Sequence, residues 1–292
     1  VLVRVRAASV NPLDWHYLRG LPYVVRMSAG LRKPKRIVVG VDVSGVVEAV
    51  GANVTEFSSG DEVFGARPGA FAEYVLGTEK NFVPKPPGLT FEHAAAIPIA
   101  GCTAIQALRD KGELQSGQSV LVNGAAGGVG TFAVQIAKAL GAEVTGVCST
   151  RNVDLVRAIG ADAVVDYTTE DVTRSGRRYD LIVEAVGNRS LSDWRRILTP
   201  TGTLVLVGGG EGRWVGPMAT PGKAILLSRF VRQRLRTLLA ELNNDDLLTI
   251  AELIEAGRVT PVIDRTYPLS EAPEAVRYLE AGHAQGKVVI TV

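Results

Sequence analysis

The sequence predicts an α/β protein: a compact, mostly β unit at the start of the chain, then a doubly wound parallel-sheet domain. Three observations carry this. The first third consists of short β-type runs separated by Gly and Pro turn signals, helical spacing sets in from Phe91, and beyond Ser119 short apolar runs alternate with segments of helical length. A chain of 292 residues with 46% apolar content has room for one large core or two ordinary ones.

In chain order, "VLVRVRAASV" at the start alternates like a half-buried strand. "IVVGVDVSGVVEAVG" and "FAEYVL" add β runs, with "SSGDEV" and "RPGAF" as turns. "FEHAAAIPIAGCTAIQALRD" combines helical spacing with strong helix formers. The runs at Ser119 to Asn123, Glu143 to Val147, Ala163 to Tyr167, Asp180 to Val186 and Thr203 to Gly208 are of the buried parallel-strand type. Their alternation with helical segments argues for crossovers in a doubly wound sheet. In Arg229 to Leu239, Arg232, Arg234 and Arg236 alternate with Val231, Gln233 and Leu235, which reads as a strand with one polar face. Asp245 to Ala256 reads as a helix stopped by Gly257, and "KVVITV" as a last strand whose sheet the pattern leaves open.

Thirty-two basic and thirty acidic side chains leave a net charge of +2, too little to imply a nucleic-acid or membrane partner. No apolar run reaches the roughly 18 residues that span a bilayer, so a soluble protein is expected. Cys102 and Cys148 are the only cysteines, which leaves no disulfide framework and fits a reducing cytoplasm. Cys102 reads as a core thiol, whereas Cys148, at a strand end, is expected to be partly accessible. The chain opens abruptly inside a strand and without a signal pattern, so an earlier segment is expected to be missing.

The chemistry concentrates in "VLVNGAAGGVGTFAVQIAKALGA". Gly124, Gly127, Gly128 and Gly130 lie between an apolar strand and an amphipathic helix, the context in which glycines let the backbone approach a pyrophosphate at a helix N-terminus. About twenty residues on, a dinucleotide site ordinarily supplies an acid for the ribose 2′-hydroxyl of NAD. Here the stretch is "VCSTRN". Ser149 and Arg151 suit a 2′-phosphate, which an acid would repel, and Ser149 or Thr150 also suits an ordinary helix cap. The cofactor expected is NADPH.

Together, "AASVNPLDW", "VGVDVSGVVEAVG", "GDEVFG", "AAAIPIAGCTA", "NGAAGGVG", "CSTRN", "GADAVVDY" and "GHAQGKVVI" resemble the medium-chain dehydrogenase/reductases, in the zinc-independent quinone oxidoreductase branch. The resemblance covers essentially the whole chain. It implies a GroES-like β domain from residues 1–93 and 261–292, a Rossmann domain from residues 94–260 inserted between them, and about thirty family residues missing before residue 1. It places Thr103 near the nicotinamide, and Ala126, Gly127, Gly128 and Val129 at the pyrophosphate. Ser149, Arg151 and Tyr167 fall around the 2′-phosphate, and Val186, Val207 and Gly208 at the nicotinamide ribose and carboxamide. His283, Ala284 and Gln285 match a closing cofactor segment, where relatives often carry Arg at the last position. It also implies a homodimer.

Metal-dependent relatives hold a catalytic zinc, and the matching positions here carry Asn11, the Val41 and Asp42 pair, and Ile99. That set lacks the three protein ligands a catalytic zinc needs, so no metal is expected. Without one, the feasible hydride acceptors are already activated: quinones and α,β-unsaturated carbonyls. Asn11 is the candidate polar group at the acceptor oxygen or the nicotinamide ribose, and equally a turn residue before Pro12. Tyr17, Tyr23, Asp14 or water could supply the proton. The alternative function is an NADPH-binding regulatory or nucleic-acid-binding protein with little turnover, suggested by "RKPKR" (Arg32 to Arg36) and the later arginines.

Overall fold

The computed structural model describes residues 1–292 apart from positions 22, 24, 25, 27–29, 31–38, 208–221, 225, 226, 229 and 230. The described chain forms two compact units, Val1–Cys102 with Glu241–Val292, and Thr103–Ala240.

The first unit is built on a seven-stranded sheet. Its strands are β1 (Leu2–Val10), β2 (Asp42–Ala49), β3 (Glu62–Ala66), β4 (Tyr74–Leu76), β5 (Phe82–Pro84), β12 (Ile263–Pro268) and β13 (Lys287–Thr291). The order is β12-β13-β1-β2-β3-β5, with β4 paired to β1. The closing "KVVITV" therefore joins the first strand: β13 runs antiparallel to β1, pairing Val288 with Val10 and Ile290 with Ala8. Val3, Val5, Val43, Val63 and Ile290 alternate inward along these strands and are buried in one core. Helix α1 (Pro12–Arg19) follows β1 directly.

The segment from Phe91 is helical as expected, but in pieces. Helix α2 (Phe91–Ala95) ends before Pro98, which cannot donate to a continuing ladder; α3 (Pro98–Ile105) follows, and Gln106–Lys111 winds as a π-helix. The first crossing between units falls inside α3, at 102/103, rather than at 93/94.

The second unit is a six-stranded sheet of β6 (Ser119–Asn123), β7 (Glu143–Cys148), β8 (Ala163–Asp166), β9 (Tyr179–Glu184), β10 (Leu198–Leu206) and β11 (Arg234–Thr237). Every pairing is parallel, in the order β11-β10-β9-β6-β7-β8. Numbered within the unit this is 3-2-1-4-5-6 from the far edge, the doubly wound dinucleotide-binding order. The order reverses between β6 and β9, so ligands are expected outside the carboxyl ends of those two strands. Helix α4 (Gly128–Ala139) packs its Phe132, Ala133 and Ile136 face inward, and α5 (Val153–Ala158) links β7 to β8. Helix α6 (Leu191–Ile197) buries Trp194 and Ile197 and is capped by Ser190, whose side chain accepts from Asp193 N, a cap worth about 1 kcal/mol.

The arginine-rich stretch forms a strand only at Arg234–Thr237, a shorter element than the expected Arg229 to Leu239, and positions 229 and 230 lie outside the described residues. Leu235 points into the core, while Arg234 and Arg236 both pair with Glu113. The second crossing falls at 240/241 rather than 260/261. Helix α7 (Asn244–Glu255) belongs to the first unit, where Asn244 Nδ2 donates to Phe82 O at 3.2 Å and Ile250 lies against Gly101.

Candidate functional site

In the second unit, the turn after β6 is shaped by close backbone approaches. Gly124 has φ +83°, and a side-chain carbon on Gly130 would stand 2.0 Å from Gly124 O, so both positions require glycine. The N-cap of α4 is Gly127, without any side-chain cap, and the first intrahelical bond is Thr131 N to Gly127 O. The N–H groups of Gly128, Val129 and Gly130 thus precede the helix's own ladder and face its N-terminus, with the helix dipole behind them. This cradle fits a pyrophosphate. Ala126 is buried beside it.

The end of β7 carries the next group. Ser149 Oγ accepts from Asn152 Nδ2 at 3.2 Å, which leaves the Ser149 O–H to donate outward. Arg151 is exposed, and Tyr167 exposes 53% of its surface while its N–H donates to Cys148 O at 3.0 Å. An acid does stand nearby, at the end of β8 rather than β7. Asp166 accepts from Thr168 N and Thr168 Oγ1 at 2.9 and 2.7 Å, and the Thr150 hydroxyl first, then Thr168, hold its carboxyl below the usual carboxylate range. Cys148 is buried rather than partly accessible, and burial, then the nearby Asp166 carboxylate, pushes its thiol up to about 11.

Glu184, at the end of β9, is a hub that the sequence reading missed. Fully buried, it accepts from Asn123 Nδ2 at 2.9 and 3.0 Å and from Val186 N and Gly187 N at 2.7 and 2.8 Å. It therefore ties the end of β6 to the loop after β9, the two strand ends that flank the reversal of order. Val207 N donates to Glu184 O at 2.9 Å, which sets the end of β10 beside them. Val186 is half-exposed at this edge, Thr103 is buried in α3, and Gly208 lies outside the described residues.

The first unit holds a polar cluster of a different kind. Asp42 Oδ2 accepts from Ser9 Oγ and Asn11 Nδ2, both at 2.8 Å, and from Lys287 Nζ at 3.4 Å, while Oδ1 accepts from Ile99 N at 3.0 Å. Lys287 Nζ also donates to Asn11 Oδ1 at 2.7 Å. Asp14, equally buried, accepts from Asn11 N at 2.8 Å, and desolvation raises its carboxyl to about 7. Of the other expected proton donors, Tyr17 is exposed on α1 and Tyr23 lies under the Arg26 guanidinium. His283, Ala284 and Gln285 form the turn into β13; Gln285 N donates to Asp264 Oδ2 at 3.0 Å, and Asp264 also receives Tyr278 OH at 2.7 Å.

A zinc ion does not fit this cluster. The Asp42 carboxylate already receives four donors, Asp14 receives the Asn11 N–H, the amide oxygen faces an ammonium, and Val41 and Ile99 offer hydrocarbon. Among the described residues no three His, Cys, Asp or Glu side chains gather as a ligand set.

Comparison with known proteins gives two family matches: an alcohol dehydrogenase GroES-like domain over residues 1–87 and a zinc-binding dehydrogenase domain over residues 159–290. The mouse mitochondrial NAD(P)H oxidoreductase RTN4IP1 is 36% identical over 326 residues, covering 100% of this chain and 81% of the relative. A chloroplast envelope quinone oxidoreductase homolog from Arabidopsis thaliana is 33% identical, with 99% of this chain and 89% of the relative covered. The solved quinone oxidoreductase of Coxiella burnetii superposes with a TM-score of 0.85 at 32% identity, covering 100% of this chain and 90% of that one.

Proposed function

Because the chain belongs to the medium-chain dehydrogenase/reductase superfamily, in its quinone oxidoreductase-like branch, we propose that it is an NADPH-dependent reductase of quinones or α,β-unsaturated carbonyls. It is an oxidoreductase with a nicotinamide cofactor. The choice of NADPH rests on one observation, the end of β7. Ser149 there keeps a hydroxyl to donate and Arg151 supplies a cation.

When bound, the nicotinamide supplies a hydride. The protein's own residues do the rest. The N–H groups of Gly128, Val129 and Gly130 hold the pyrophosphate, Ser149, Arg151 and Tyr167 surround the 2′-phosphate, and the Glu184 hub orders the loop bearing Val186 for the nicotinamide ribose. Thr103, Val207, Gly208 and the turn of His283, Ala284 and Gln285 complete the proposed cofactor contacts. Asn11 is the proposed hydrogen-bond donor to the acceptor oxygen. The reaction proceeds without a metal, which restricts acceptors to those activated by conjugation. A homodimer with no nucleic-acid or membrane partner is part of the reading. No helix among the described residues is long and apolar enough to cross a membrane, and two buried cysteines, neither in a disulfide, suit a reducing compartment such as the cytoplasm.

The test is a steady-state panel of quinones, enones and alkanals with NADPH, in the presence and absence of chelator. Turnover of quinones or enones that chelator leaves unchanged is expected. Preference for alkanals, or loss of activity with chelator, would overturn the reading.

A further inference from the structure

The strand order β13-β1-β2 brings three distant side chains to one strand end: Lys287 opens β13, Asn11 follows β1, and Asp42 opens β2. Asn11 occupies the N-cap of α1, where an Asn side chain ordinarily accepts from a backbone N–H of the first helical turn. The capping box with Asp14 is in place, with Asp14 Oδ2 accepting from Asn11 N, and the Asn11 carboxamide carries two further bonds. Its Oδ1 accepts from Lys287 Nζ and its Nδ2 donates to Asp42 Oδ2.

Reversing that amide would set its NH2 against an ammonium and its carbonyl against a carboxylate. Asn11, Asp42 and Lys287 are each at most 3% exposed, so water screens neither contact. The ion pair permits one orientation.

We infer that Lys287, neutralised by Asp42, is a positioning residue that fixes the orientation of the Asn11 carboxamide and so decides which hydrogen Asn11 can offer. One Nδ2 hydrogen is committed to Asp42. The other meets only Ser9 O at 3.4 Å, long for an N–H···O bond, and is the one a carbonyl or quinone oxygen would take. The catalytic consequence rests on the proposed contact between Asn11 and the acceptor; the orientation itself does not.

Replacing Lys287 alone strands a buried carboxylate, so the variant to use is the double Lys287→Met with Asp42→Asn, which removes both charges together. In 15N-labelled protein the Asn11 side-chain NH2 pair, assigned by its loss in Asn11→Ala, is expected to exchange with solvent at least tenfold faster in the double variant. Backbone amides of β1 should keep their wild-type rates. Unchanged exchange of the Asn11 pair would overturn the inference, whether or not the protein turns over quinones. In steady-state assays with NADPH and p-benzoquinone, the double change should lower kcat at least tenfold in the wild-type background and less than twofold in an Asn11→Ala background. Equal losses in both backgrounds would show that Lys287 does not act through Asn11. A wild-type protein without turnover would sink the proposed function and leave the exchange measurement to decide the orientation.

Discussion

At the head of helix α4 the chain offers a ligand little except backbone: glycines without side chains, three N–H groups and a dipole. At the shared end of β13, β1 and β2 it offers the reverse, a buried set of Lys287, Asp42, Asp14 and Asn11 in which almost every hydrogen-bonding atom is matched to another. The first arrangement costs little when empty, since its polar groups sit at a helix terminus. The second must hold charge in a low dielectric, and each member depends on its partners. Recognition by backbone is thus insensitive to pH, while the polar cluster ties stability to protonation and to pairing.

The sharpest way to break this contrast is Lys287→Met alone. Leaving Asp42 buried without a cation should cost about 3 to 5 kcal/mol in chemical denaturation, the scale for breaking a buried pair. A loss below 1 kcal/mol would mean that the cluster is not held by the ion pair. Next is pH. Burial favours the neutral form of Asp14, so between its unfolded value near 3.8 and about 7 the folded protein holds a proton that the unfolded chain has released. Stability from this group is present below the lower value and is lost as pH rises through the upper one, by up to roughly 4 kcal/mol. Thermal unfolding from pH 5 to pH 8 should show that decline in the wild type and a flatter profile in Asp14→Asn. Parallel profiles would remove Asp14 as its source.

Arg151→Ala probes the other region and should leave stability alone. Loss of a charge-assisted contact of about 1.5 to 3 kcal/mol predicts NADPH binding weaker by about ten- to a hundredfold, with NADH within about twofold. The smallest effect is expected at the surface triad of Arg234, Arg236 and Glu113, where the side chains are 31 to 47% exposed. Arg234→Ala should change stability by less than about 1 kcal/mol, and a larger change would blur the distinction between exposed and buried pairs.

The two regions also differed in how far the sequence revealed them. Gly124 to Gly130, the strands β6 to β9 and the "CSTRN" segment follow from local pattern, because a tight turn, a parallel strand and a helix start each leave a contiguous signature. The polar cluster does not: Asn11, Asp42 and Lys287 are far apart in sequence and meet only because β13 pairs with β1 and β1 with β2. A Lys opening the apolar run "KVVITV" and an Asp inside "VGVDVSGVV" were the available signals, since charges in buried strands need partners. Glu184 in "DLIVEAV" carried the same signal. Helix α7 went to the other unit because its amphipathic pattern shows that it packs, not against what. The second crossing therefore falls before α7, at 240/241.

Selection of the 2′-phosphate by the end of β7 is what separates the proposed function from an NADH-dependent one. The direct measurement is kcat/KM for NADPH and for NADH with a single quinone, in wild type and in Arg151→Ala. At least a tenfold preference for NADPH is expected in the wild type, largely abolished in Arg151→Ala; equal use of the two cofactors by the wild type would contradict that selection.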